Sequence, residues 1–152
     1  MKIRKAKLND AKRASLMVGK TLEEINSKDY NTSQIEVFKE KNTVEEIRKR
    51  IKESDMYLAF AGDKLVGSVA FHNKRFWQLY VRPSFVGKGV GSALMDYIEI
   101  FARKKGLKKV KLYSTITAKD FYLERGYKIL EKFKARMGNV GIVMFDMEKR
   151  LK

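Results

Sequence analysis

The sequence contains no cysteine, one proline and one histidine among its 152 residues. Without cysteine, disulfides, thiolate metal ligands and a cysteine-bound acyl intermediate are excluded. With His72 as the only histidine, a zinc site would have to rely on carboxylates, so we predict no metal. No apolar run approaches the ~20 residues of a membrane span, and residues 1–5 lead into no secretory signal. We therefore expect a cytoplasmic protein without a membrane partner.

Basic residues outnumber acidic ones, with 34 Lys and Arg against 18 Asp and Glu and a net charge of +16. Three interpretations are open: a solvated charged surface, attraction of a polyanionic cofactor, or nucleic-acid binding. The basic residues are spread along the whole chain and are not gathered in one arm with interleaved aromatics. Nucleic acid is therefore the least favoured partner.

Apolar periodicity predicts strands and helices over residues 1–152 without a repeat or linker, and hence one domain. Residues 27–34 are polar and predict a loop, residues 35–41 a helical turn, and Thr43 with Glu46 a capping box. The predicted order, β-α-α-β-β-β-α-β-α-β-β, favours a mixed α/β sheet with helices on both faces. The predicted strands are 3–8, 56–61, 65–71, 76–81, 110–114, 127–133 and 142–148.

The most informative segment is 79–95, in which an apolar strand is followed by Pro83, a short loop and a helix. Glycines at the alternate positions 87, 89 and 91 allow backbone amides to point into one concave space. The helix adds unpaired N–H groups and the positive end of its dipole. The segment therefore predicts an anion cradle suited to phosphate.

Two common phosphate-binding motifs do not fit this segment. A Walker A loop requires Ser or Thr directly after Gly87-Lys88, where Gly89 stands. A dinucleotide fingerprint requires a third glycine at Ser92 and glycines that follow the strand immediately. The cradle therefore belongs to another class of phosphate site.

Two segments carry a family resemblance. Val86-Gly87-Lys88-Gly89-Val90-Gly91 is similar to the pattern Q/R-x-x-G-x-G/A, with Val86 at the Gln/Arg position. Residues 118–127 are similar to the pattern A-x-x-F-Y-x-x-x-G-F/Y. Both patterns, in this order, are typical of the GNAT superfamily of N-acetyltransferases, which the chain resembles over residues 56–130. The resemblance implies a mixed, mostly antiparallel sheet and acetyl transfer from acetyl-CoA to an amine.

The resemblance also implies how coenzyme A would be held. Its pyrophosphate would rest on the amides of residues 86–92, and its pantetheine arm along strand residues 79–81. Tyr122 would lie beside the sulfur and is the catalytic candidate, because a hydroxyl there can assist the departing thiolate. The implied cofactor-binding residues are Leu79, Tyr80, Val81, Val86, Gly87, Lys88, Gly89, Val90, Gly91, Ser92, Thr115 and Tyr122.

Four positions depart from the family pattern or concern its acid–base chemistry. Thr115 stands where many members have an asparagine that bonds the pantetheine arm. Arg75 stands where many members have a glutamate base, and Gln78 can orient water but cannot take a proton. His72 has a suitable reference pKa, but a surface position near a strand end is the favoured interpretation. The base is therefore left unidentified.

Aromatic residues near these segments divide between core and pocket. Neighbouring helix residues point about 100° apart, so we expect Phe121 in the core and Tyr122 facing elsewhere. An acceptor pocket is predicted among Tyr30, Phe38, Trp77, Tyr80 and Phe133. The sequence does not decide whether the acceptor is a small amine or a protein amine. It also does not decide whether the protein is a monomer or a homodimer. A second hypothesis is a fold that binds acyl-CoA without turnover.

Overall fold

The computed structural model describes all residues from 1 to 152. The strands are β1 (Lys2–Lys5), β2 (Asp55–Ala61), β3 (Lys64–His72), β4 (Arg75–Val81), β5 (Lys109–Thr115), β6 (Lys128–Met137) and β7 (Val140–Arg150). The helices are α1 (Ala11–Glu24), α2 (Thr32–Glu40), α3 (Val44–Glu53), α4 (Val90–Lys104) and α5 (Lys119–Glu124). No helix has both the length and the apolar character needed to cross a membrane.

The seven strands form one sheet in the order β1-β2-β3-β4-β5-β7-β6. All neighbouring pairs are antiparallel except β4 and β5, which run parallel. The parallel pair is short, since only Arg75 with Lys111 and Phe76 with Leu112 are in register. The predicted mixed, mostly antiparallel sheet is confirmed, and its one parallel junction is incomplete.

Helices cover both faces of the sheet, as predicted. Alternate residues of β2 show the two sides, because Met56 and Leu58 pack with α1–α3 whereas Tyr57 packs with α4. This is the period-two alternation of a strand buried on both faces. Two apolar cores result, and the short β4–β5 junction lies between them.

The segment before β2 contains three helices, so the predicted β-α-α-β order is wrong there. We predicted a loop over 27–34 and a helical turn over 35–41, whereas α2 already begins at Thr32. Asn31 and Gln34 form a reciprocal capping box, with each side chain accepting from the other's backbone N–H at 2.9 Å. The polar residues that suggested a loop are thus the start signal of a helix.

Several strand ends also differ from the predicted ones. Strand β1 ends at Lys5 rather than at Leu8, because residues 8–10 form a 3-10 turn. Asp10 holds this turn by accepting from the Lys7 N–H at 2.7 Å and by pairing with Arg4 at 2.8 Å. At the other end of the chain, β6 and β7 both extend beyond the predicted 127–133 and 142–148.

Helix α4 lies close to β3 at Gly67, which leads to a stability prediction. A Cβ there would be 2.7 Å from Leu94 Cδ1 and 2.8 Å from Val90 Cγ1. We expect Gly67→Ala to lower the free energy of unfolding in urea by about 1–3 kcal/mol, because α4 must shift to make room.

Gly19→Ala in α1 is the control. Its Cβ would meet nothing within 4 Å, so a gain of up to ~1 kcal/mol is expected. Equal stability of the two variants would contradict the close approach.

Candidate active site

A cleft opens where β4 and β5 stop pairing. Beyond Phe76 and Leu112 the two strands have no further register partners, so the edge of β4 that faces β5 is open. The cleft has a volume of about 450 Å³. It is lined by residues of β4 and β5 together with residues of α1–α3, α5 and the loop that precedes α4, residues 82–89, which we call the α4 loop. An open strand edge inside a cleft can bind an extended ligand through backbone hydrogen bonds.

A β-bulge shapes the floor of this cleft. Two residues of β4, Gln78 and Leu79, oppose one residue of β3, Val69. Gln78 has a φ of +62°, which is uncommon for a residue other than glycine, and Ser68 Oγ donates to its carbonyl at 2.8 Å. The bulge turns β4 away from a regular strand at the point where pairing with β5 has ended.

The predicted anion cradle lies at the start of α4. Gly87 and Gly89 both have left-handed backbones, with φ of +79° and +84°, and Gly89 is the N-cap of the helix. The Val86 and Lys88 N–H groups donate to carbonyls of the preceding 3-10 turn (Pro83–Phe85), at 3.3 Å each. The amides without an acceptor in the protein are those of Gly87, Gly89, Val90, Gly91 and Ser92. Five free donors at the positive end of a helix are an arrangement that can bind an anion such as phosphate.

Gly91 has a different role from the other two glycines. Its backbone is helical, and a Cβ there would lie 3.3 Å from Phe121 Cζ. The missing side chain therefore lets α5 approach the start of α4. This contact joins the two segments that carry the family resemblance.

The side chains of the predicted cofactor loop are not equivalent. Lys88 is exposed, with its ammonium 5.2 Å from the centre of the Phe85 ring, and Ser92 is exposed without a hydrogen bond. The Val90 side chain is buried in the core, so only its amide faces outward. The predicted cofactor residues that line the cleft are Leu79, Tyr80, Val81, Val86, Gly87, Gly91, Thr115 and Tyr122. At Thr115, Oγ1 also accepts from the N–H of Ala118, the N-cap residue of α5, at 3.2 Å and so holds the turn that leads into this helix.

Tyr122 lines the cleft and is also packed in the core. It is 5% exposed, whereas Phe121 is only half-buried, so our prediction of which of the two is the core residue is wrong. The reason is that the six-residue α5 has protein on both sides, with Phe121 over the start of α4 and Tyr122 against Tyr127. Burial raises the pKa of Tyr122, and its hydroxyl has no hydrogen-bond partner in the protein. It therefore stays protonated at neutral pH and is free to donate to a ligand.

None of the residues that line the cleft is Asp, Glu or His. Arg75, at the position of the family's glutamate base, is turned toward Asp146 at 3.5 Å and lies over the Tyr113 ring. His72 is exposed beside the β3–β4 turn, which agrees with the surface interpretation. No group of three or more metal-ligating side chains is present.

One side of the cleft, where the α2–α3 turn, α3 and β4 meet, holds a polar cluster that the sequence did not predict. Gln78 donates from Nε2 to Asn42 Oδ1 at 2.8 Å, and Arg50 Nη1 donates to Gln78 Oε1 at 2.7 Å. Both functional atoms of Gln78 are thus engaged, and the proposed water-orienting role does not fit this arrangement. The signal in the sequence was Arg50 itself, a basic residue beside Ile51 on the apolar face of α3.

The aromatic predictions are partly met. Phe38, Trp77 and Tyr80 line the cleft, but Tyr30 and Phe133 do not. The Tyr30 hydroxyl instead accepts from the Ile116 N–H and donates to the Val143 carbonyl, which fixes the end of β5 relative to β7. Burial raises the pKa of Tyr80 to about 12, although nearby Arg50 favours the phenolate.

The description "Acetyltransferase (GNAT) domain" belongs to a family model that matches residues 26–151. The chain belongs to the GNAT family. This membership supports acyl transfer in general terms. No curated protein was found to match the chain.

Solved GNAT structures have the same fold as this chain. A GCN5-related N-acetyltransferase from Rhodopseudomonas palustris is 22% identical, with a TM-score of 0.94 over 99% of this chain and 95% of that one. PaiA N-acetyltransferase from Thermoplasma acidophilum, in complex with coenzyme A, is 23% identical, with a TM-score of 0.81 over 98% of both chains. An aminoglycoside 6′-N-acetyltransferase complexed with coenzyme A is 17% identical, with a TM-score of 0.72 over 100% and 98%.

Proposed function

We propose that this protein is an N-acetyltransferase that moves an acetyl group directly from acetyl-CoA to an amine. The observation that carries the proposal is the cradle of five free amides that opens onto the bare edge of β4. A diphosphate next to an extended chain with two amide groups is the chemistry that such a site fits. The two GNAT neighbours solved with coenzyme A support the same cofactor.

The residues of the chain would divide the work as follows. The cradle amides bind the diphosphate, and the open edge of Leu79–Val81 binds the pantetheine amides. The neutral amine nitrogen attacks the thioester carbonyl, the C–S bond breaks to release the thiolate, and the proton that the nitrogen loses passes to water because no Asp, Glu or His lines the cleft. Tyr122, kept neutral by its raised pKa, donates a hydrogen bond to the sulfur as negative charge develops there. Because the chain contains no cysteine, no thioester intermediate on the enzyme is available.

The absence of acidic groups and histidine from the cleft predicts a simple pH profile. We expect log kcat/KM to rise with unit slope up to the pKa of the acceptor amine, because only the neutral amine is a nucleophile and no cleft residue titrates near pH 6–7. The Tyr80 pKa of about 12 lies above the assayed range of pH 6 to 10, so Tyr80 stays neutral over the whole profile. Initial rates of thiol release from pH 6 to 10 measure this profile.

His72→Ala is the matched variant for this profile. His72 is exposed and outside the cleft, so its profile should overlay that of the parent. An acidic limb that disappears in His72→Ala would make His72 the base. A limb that survives in the variant would indicate a carboxylate that enters the cleft when substrate binds.

A second function, acyl-CoA binding without turnover, is favoured by one observation. The position of the family's base is occupied by Arg75, which pairs with Asp146 instead of facing the cleft. A thiol-release screen of an amine library with acetyl-CoA separates the two hypotheses. Tight acetyl-CoA binding together with no release above the rate of spontaneous hydrolysis would favour the binding module.

A further inference from the structure

Arg50 is a buried cation that lines the cleft beside Gln78. It is 7% exposed, it lines the cleft from α3, and its guanidinium lies 4.5 Å from the centre of the Trp77 ring. It contacts the side chain of Gln78, at the bulge of β4. The diphosphate cradle follows the C-terminal end of β4, which is three residues, or about 10 Å along the strand, from Gln78. With coenzyme A placed as proposed, Arg50 would therefore lie nearer to the thioester end of the cofactor than to its phosphates.

All hydrogen-bond acceptors of Arg50 are neutral. Nη1 donates to Gln78 Oε1 at 2.7 Å and to Asn42 Oδ1 at 3.1 Å, and Nη2 donates to the Lys41 carbonyl at 2.8 Å. No carboxylate lies within 4 Å, unlike at Arg4, Arg75 and Arg125. Glu46, one turn earlier on α3, is exposed and attracts the guanidinium only at longer range.

The guanidinium also keeps unused donors. Of its five N–H groups, three are accounted for by these bonds. Nε is buried and has no hydrogen-bond partner. The remaining N–H groups belong to Nε, which is enclosed by protein, and to Nη2, which keeps one donor for a further acceptor.

A buried cation without a counter-ion is costly, and burial lowers the pKa of Arg50 accordingly. Arginine nevertheless remains charged in proteins, so the site carries an uncompensated positive charge. The only other charged residue that lines the cleft is Lys41, which is also basic. An anionic group would offset this charge, whereas a polycation would add to it.

We propose that the acceptor is a small amine that bears a carboxylate, and that the Arg50 guanidinium binds this carboxylate. The inference rests on the proposed acetyl transfer in the same cleft. Arg50 contacts the side chain of Gln78 at the β4 bulge, so with the thioester placed near this bulge the proposal favours acceptors in which the carboxylate and the amine are close together. Free amino acids have this spacing, and diamines and polyamines do not have the charge.

The test compares matched acceptors that differ only in charge. Amino acids and their carboxamides are assayed with acetyl-CoA, with rates expressed per concentration of unprotonated amine because amidation lowers the amine pKa. Spermidine supplies the polycationic arm, and taurine and O-phosphoethanolamine supply other anions. For the parent we expect kcat/KM for the best amino acid to exceed that of its amide at least about 30-fold, the loss typical for a buried charge left unpaired.

Variants then assign the discrimination to Arg50. Arg50→Gln should remove the preference for the carboxylate, and Arg50→Lys should keep part of it, because the charge stays but the planar guanidinium that Gln78, Asn42 and Lys41 hold in place is lost. Gln78→Glu leaves Arg50 in place and puts a carboxylate where Oε1 is now 2.7 Å from Nη1, so it should compete with the acceptor and favour the amides. Arg48→Gln, on the exposed side of α3, is the control and should behave as the parent. Thermal melting checks the fold of each variant.

The outcomes separate this inference from the proposed function. Equal rates for amino acids and amides, or a preference that survives Arg50→Gln in a folded protein, would overturn the inference while acetyl transfer stands. A preference for the sulfonate or phosphate amine over every amino acid would overturn the carboxylate assignment. If no amine is acetylated, calorimetry with N-acetylamino acids on the CoA-loaded protein decides. Binding lost in Arg50→Gln supports the inference, and no binding contradicts it. Failure to bind acetyl-CoA at all would contradict the proposed function instead.

Discussion

Replacing Gly89 with aspartate is expected to weaken acetyl-CoA binding by about three orders of magnitude while the fold persists. Gly89 is the exposed N-cap of α4, and a Cβ there would meet nothing within 4 Å. The new carboxylate would stand among the free amides that the diphosphate needs. At about 4 Å in a partly screened site, two like charges repel by ~4 kcal/mol, which corresponds to ~10³ in the dissociation constant. Calorimetric titration with acetyl-CoA measures the change.

Gly106→Asp is the matched control for this variant. Gly106 follows the opposite end of α4, has a φ of +85°, and also has open space around its Cβ position. Both variants strain a left-handed backbone, but a negative charge is favourable at the start of a helix and unfavourable near its C-terminus. The control should therefore lose at least as much stability as Gly89→Asp and still bind acetyl-CoA normally. If Gly89→Asp binds acetyl-CoA with an affinity within threefold of the parent, the loop is not part of the cofactor site.

The cradle could be predicted from the sequence because its determinants are local. A left-handed backbone at Gly87 and Gly89, the preceding Pro83 and the apolar stripe of α4 are all encoded within about twenty neighbouring residues. Their physical meaning depends little on the rest of the fold. The sequence did not reveal that the amides of Val86 and Lys88 are used within the loop itself, because that depends on the tight 3-10 turn.

The polar cluster of Asn42, Arg50 and Gln78 could not be predicted, because it is built from long-range contacts. These residues come from the α2–α3 turn, α3 and β4, and nothing in their sequence spacing requires them to meet. The bulge at Gln78 is equally hidden, since glutamine has no preference for a φ of +62°. Sequence reasoning placed Gln78 on the correct strand, but its partners had to come from the structure.

The assignment of Phe121 and Tyr122 failed for a related reason. The 100° rule describes how two neighbours diverge on a helix, but it says nothing about how many sides of that helix are covered. Helix α5 is only six residues long and lies between the start of α4 and Tyr127, so both aromatic rings contact protein. A short helix of this kind can carry a residue that is both packed and open to a ligand.

Tyr122→Phe should lower kcat by about 10²-fold or more and leave the acetyl-CoA affinity nearly unchanged. The hydroxyl makes no bond in the resting protein and matters only as charge develops on the sulfur, where general acid assistance is worth ~10²–10⁴-fold. Because burial raises the pKa of Tyr122, no loss of rate from its ionisation is expected below pH 10. Single-turnover rates with a competent acceptor measure the chemical step directly.

Tyr127→Phe separates this catalytic effect from packing. The Tyr127 ring lies 5.6 Å from that of Tyr122 but outside the cleft, and its hydroxyl donates to the buried Glu99 at 2.8 Å. Loss of that bond should lower the free energy of unfolding by about 1–3 kcal/mol and leave kcat intact, since Glu99 loses a partner that the site does not use. Tyr122→Phe should show the reverse pattern, because no hydrogen bond in the protein is lost. An unchanged kcat in Tyr122→Phe would make Tyr122 a packing residue and assign protonation of the thiolate to water.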